Sequence, residues 1–226
     1  MDTQPCTSPP IRSVGEEWRG MAREDMSLGA AAMVAGVGLL VMMIFAGVAF
    51  SLFESMVVVG DAAQTARNIA DNELLFRVVP CAFLIVAILD VVVAWALYVF
   101  LAPVDRSLAL LAAWLRVAMA AVFAASLVGL FAAVRLASEG QSGEMVMMSV
   151  NAFNDGWDAA LAFFGLHLIA LGYLAAKSGY VPKVLGVLVM FASVDYLIDS
   201  FGSFLVSGYG ANVALFTFVG EALLMV

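Results

Sequence analysis

Charge is scarce in this sequence. Only 12% of its 226 residues are Asp, Glu, Lys or Arg, about half the share that solvates a soluble domain. With 64% of residues apolar, the main solvent has to be lipid. Basic runs are missing as well, and the formal net charge is −8, which excludes nucleic acid and makes anionic headgroup surfaces poor partners. The two cysteines, Cys6 and Cys81, lie in a polar tail and a hydrophobic run, so neither a structural disulfide nor a zinc site is expected from them. No signal peptide is expected in the first residues, where no short apolar core follows a basic segment. No cofactor motif is present, and no cofactor or resident metal is expected.

What is present is long apolar runs. Leu28–Phe53, Val78–Val99 broken only by Asp90, and Leu108–Ala133 broken only by Arg116 each exceed the ~20 residues that cross a ~30 Å hydrocarbon core as a helix. The alternating short segments of a membrane barrel are not seen. The expectation is an all-α, polytopic membrane protein: a six-helix transmembrane bundle with spans near 28–53, 74–101, 107–135, 152–176, 183–206 and 211–226. Residues 1–27 form a polar tail, expected to be disordered or to lie on the membrane surface, and 28–226 the transmembrane domain. The last run has only 16 residues after Gly210, short for a crossing, so a truncated chain is one expectation.

The connections carry their own signals. Asp61 with Gln64 makes a capping-box pattern ahead of a small helix whose weak apolar face is Ala62, Ala66, Ile69 and Ala70. Asp71 or Asn72 can cap the second span. Ala137–Val150 is read as a connection turning at its two glycines, and Ser178-Gly179 followed by Pro182 ends one helix and starts the next. Lysines and arginines number six in the tail, second and fourth connections against three on the other side, which favours both termini in the cytoplasm. Tyr98, Tyr173 and Tyr180 on one side and Trp157 on the other fit aromatic belts. Gly29, Ala32 and Gly36, and Gly165 with Gly172, are expected at close helix contacts.

Polar residues inside the membrane are costly and persist when paired or facing a cavity. Asp90 and Arg116 lie about thirteen residues on either side of Pro103-Val104, which puts them level in an antiparallel hairpin, roughly 20 Å from the turn. An Asp90–Arg116 pair is expected, either docking two helices or holding Arg116 for an anionic ligand. His167, the single histidine, lies about twelve residues before Gly179-Tyr180, near the level of Asp195, and the two could hydrogen-bond directly or through water. Asp195 and Asp199 share a helix face, and Glu221 lies at a matching depth beyond the next connection.

The candidate site is therefore His167, Arg116, Asp90, Asp195, Asp199 and Glu221, as a solute- or proton-binding cluster, an intramembrane metal-dependent enzyme site or a structural network. Metal binding is weakly signalled by one histidine. A serine nucleophile at Ser193 or Ser200 has no motif around it, and no residue can be named as catalytic. Asn151, Asn154, Asp155 and Asp158 read as N-terminal capping of the fourth span, or as a cation vestibule. Met42, Met43, Met145, Met147 and Met148 read as packing residues, with a soft-metal role requiring them to share a surface.

Three stretches carry a resemblance: GDAAQTARNI (Gly60–Ile69), APVDRSLALLAAWLR (Ala102–Arg116), and Phe163–Phe201 with its HLIALGYLAAKSGYVPKVLG core. They resemble a largely bacterial family of integral membrane proteins known as domain of unknown function 4386, over roughly residues 28–226. The resemblance implies a multi-pass protein of a bacterial cytoplasmic membrane, and gives Arg116, His167, Asp199 and Glu221 places in the family's pattern. It also implies a final helix running past the glutamate, where this chain stops at Val226, and leaves Asp195 peculiar to this chain. Mechanism stays open.

Overall fold

Six α-helices make up nearly all of residues 26–206, the part of the chain that this computed structural model describes. They are α1 (Leu28–Met56), α2 (Ala62–Asp71), α3 (Glu73–Leu101), α4 (Arg106–Ser138), α5 (Gly143–Ser178) and α6 (Lys183–Leu205). All except α2 are long and apolar enough to cross a membrane, and among the described residues there is no strand. The span expected at 211–226, and Glu221 with it, lies outside the described residues, as does the tail up to residue 25.

Local chemistry sets the ends. Ser27, Asp61, Asp105 and Ser142 cap α1, α2, α4 and α5 by accepting a backbone N–H three residues on. Asn72 precedes α3 but gives it no side-chain cap; its amide instead donates to Asn68 O. Gly179, at φ 79°, closes α5 in the left-handed region, and Pro182 leads into α6. The apolar face of α2 is narrower than the sequence suggests: Ile69 is buried, Ala70 is exposed, and Thr65 takes its place. The Thr65 hydroxyl accepts from Val58 N–H at 2.9 Å and so satisfies the turn before α2.

The largest boundary difference is at α5, which begins at Gly143 rather than near residue 152. At 36 residues it is about 54 Å long, well beyond the ~30 Å hydrocarbon thickness that a span has to cross. An apolar run marks only the part in lipid; the rest is held by α2, where the backbone at Ala62 crosses against Gly143. Asn151, Asn154, Asp155 and Asp158 therefore sit two turns or more inside the helix and do not cap it.

The spanning helices pack in the order α1, α3, α4, α5, α6, with α2 laid against α4 and α5. One core joins Phe76, Phe83, Phe123, Leu127, Phe153 and their neighbours from α1 to α5. Trp157 belongs to this core and not to an aromatic belt: its ring lies 5.0 Å from Phe123 and 5.5 Å from Phe50. A second, smaller core holds Leu101, Ala109, Ala112, Ala170 and Leu174.

Close approach runs through glycines, though not all those expected. Gly165 and Gly172 face α6, and Gly172 meets Gly186 backbone to backbone. Gly29 and Gly36 face open space, and Ala32 is exposed; α1 packs instead through Ala31, Ala35, Gly38 and Ala49, with Gly38 against Val93. Gly36→Ala should raise unfolding stability by roughly 0.5–1 kcal/mol, read by denaturation in detergent, because a helix interior prefers alanine and nothing opposes the added methyl.

Candidate functional site

Between the two cores, three helices bring their polar residues together. Asp90 from α3, Arg116 from α4 and His167 from α5 are 2%, 4% and 1% exposed, respectively. Arg116 Nη2 lies 2.7 Å from Asp90 Oδ1. That oxygen is off the line of the N–H bonds and has no aligned hydrogen bond, so the contact is a charge pair first. A short turn between two antiparallel helices produces it: depth along both is counted from the same point.

His167 does not turn to Asp195. Its Nδ1 lies 2.8 Å from Ala112 O and its Nε2 lies 3.4 Å from Arg116 Nη1. The partners assign the tautomer: Nδ1–H donates to the carbonyl, leaving Nε2 to accept from the guanidinium. Both ring nitrogens are thus used by α4. The reason is rotational, since Gly165 and Gly172 take up the α6 face of α5 and the histidine projects from the other side.

Phe164 completes the surround. The guanidinium carbon sits 5.8 Å from its ring centroid, within cation–π reach, and the ring stacks at 6.0 Å from His167. The sequence pattern does not single out Phe164 or Ala112, although i−3 from His167 and i−4 from Arg116 are the positions that share a face.

One donor in this cluster is unmatched. Arg116 Nε is buried and has no hydrogen-bond partner. A buried donor left unpaired costs about 1–3 kcal/mol, so it calls for an acceptor.

The acidic residues of α6 form a neighbouring group. Asp195 is buried, Asp199 half-buried, and Ser200 Oγ donates to Asp158 O at 2.6 Å. Among the described residues, no three His, Cys, Asp or Glu side chains converge as a metal-ligand set. At the far end of α5, an open cavity of about 450 Å³ is lined by Ala62, Glu144, Met147, Met148, Asn151 and Asp155. Two methionines therefore share that surface, while Met42 and Met147 also pack on the main core.

A relative from Archaeoglobus fulgidus, itself an uncharacterized protein, is 39% identical over 141 residues, 62% of this chain and 75% of the relative. No solved structure matches the chain. The sequence profile of one family matches residues 34–226, covering all six residues of the candidate site. The chain belongs to the family described as a domain of unknown function, DUF4386.

Proposed function

We propose that this membrane protein binds a small solute at the Asp90–Arg116–His167 cluster, as the recognition step of sensing or transport. The observation that carries the reading is the buried, unpartnered Arg116 Nε in a cluster whose guanidinium already faces a carboxylate and an imidazole. Because Asp90 already balances the arginine's charge, the donor asks for a hydrogen-bond acceptor such as a carbonyl or carboxylate oxygen. Asp195 and Asp199, on the far side of α5 from His167, join this reading as a second acidic group on the same helix pair, with Glu221 included by its depth along the chain. We place the protein in the cytoplasmic membrane with both termini inside, on the six-to-three distribution of lysine and arginine.

The test is a thermal-shift screen of the purified protein against small metabolites and metal ions at several pH values. Wild type is compared with Arg116→Lys, which keeps the charge and loses the fork, and His167→Gln. A solute present at about 100 times its Kd should stabilise wild type by ~2.7 kcal/mol and the variants much less. If no compound or pH step separates wild type from both variants, the cluster holds helices together and binds nothing.

A further inference from the structure

Away from the polar cluster, residues of α1 and α3 line a groove of about 400 Å³ that is almost wholly apolar, with Arg77 among its lining residues. Ile44 and Val48 form one wall, and Val78, Cys81 and Ile85 form the other. On α3 these three positions are spaced three and four apart, so they make one stripe about 10 Å long running down from Arg77. The walls are open rather than closed over: Ile44 is 61% exposed and Val48 47%. Arg77 is the fifth residue of α3, at the end where the apolar run begins, the level of phospholipid headgroups. Its Nε and Nη2 both donate to Glu73 Oε1, which fixes the guanidinium and leaves Nη1 for a second acceptor.

We infer that this groove is a binding site for one phospholipid of the surrounding bilayer, with an acyl chain between α1 and α3 and the phosphate on Arg77. The lining matches a hydrocarbon chain along its length, and the single cation matches the phosphate at the depth where a lipid carries it. A soluble metabolite would find no further polar group in the groove.

Native mass spectrometry of the full-length protein released from detergent supplies the test. The probes are a phosphatidylethanolamine and the diacylglycerol with the same chains, which lacks only the phosphate-bearing headgroup. Wild type should retain one phosphatidylethanolamine per protein. Val48→Trp and Ile85→Trp fill the groove from opposite helices at exposed positions. Each should lower retention more than about tenfold, since several chain methylenes lose their contact. Arg77→Gln should lower phosphatidylethanolamine retention about fivefold and leave diacylglycerol retention unchanged.

Retention that survives both tryptophan variants overturns the site. Equal retention of the two lipids by wild type overturns the role of Arg77. A tryptophan variant that changes the oligomeric state while still retaining lipid would assign the groove to a second copy of the chain instead. None of these readouts depends on the solute site.

Discussion

Asp90→Ala should lower unfolding stability in detergent by about 3–5 kcal/mol, the range for breaking a buried ion pair from one side. The cost comes from the partner that stays behind. Without the carboxylate, the Arg116 guanidinium keeps a 3.4 Å contact to His167 Nε2 and the face of Phe164 at 5.8 Å. Neither carries a compensating charge. Removing both partners, as Asp90→Leu with Arg116→Met, should bring stability back to within ~1 kcal/mol of wild type, because apolar residues of similar volume suit this depth. The double variant also separates two roles. If the pair only docks helices, the double variant behaves like wild type in every assay. If Arg116 receives a solute, the double variant is stable and no longer responds to it. A double variant as unstable as Asp90→Ala would mean that the surroundings of the pair are built for charge and cannot accept an apolar replacement.

Gly172→Val should cost about 3 kcal/mol, the upper end of overpacking, and lower the melting temperature correspondingly. A Cβ at Gly172 would sit 2.6 Å from Gly186 O and 2.7 Å from Met190 Cγ. The methionine can move; the backbone oxygen cannot without taking α6 along. The same holds in reverse, since a Cβ at Gly186 would lie 2.7 Å from Ala176 N. No rotamer relieves either clash, so α5 and α6 must separate and lose packing along their length. The matching control is Gly36→Ala, which adds a side chain where nothing lies within 4 Å. Equal losses at the two positions would show that glycine matters in these helices for flexibility and not for close approach.

Depth is legible in the sequence, and rotation only partly so. Asp90 and Arg116 can be matched by counting from one short turn because a helix rises by a constant amount per residue. The same counting puts His167 near Asp195, and there it misleads, because two residues can share a level and face opposite ways. The correcting information is in the chain: Gly165 and Gly172 mark the α6 side of α5, and His167 projects from the other. Hydropathy finds α5 only where it meets lipid and misses the turns from Gly143 onward that rest on α2. Trp157 shows the limit of belt arguments, since a tryptophan near an apparent interface can equally be the centre of an aromatic core. Small-residue spacing favours Gly29 and Gly36 over Gly38 because it does not say which side of α1 meets a neighbour. The unpaired Arg116 Nε is not legible at all: it depends on side-chain directions across three helices.

The level placement of Asp90 and Arg116 also has an electrical consequence. A transmembrane potential does work only on charge displaced along the membrane normal, about 2.3 kcal/mol per elementary charge per 100 mV for a full crossing. Two opposite charges at one depth, moving together, transfer none. While α3 and α4 shift as one body the pair is therefore invisible to voltage, and only a slide of one helix past the other would make it respond. Voltage dependence of solute binding at this cluster would then come from charge other than the pair's own, the solute's included.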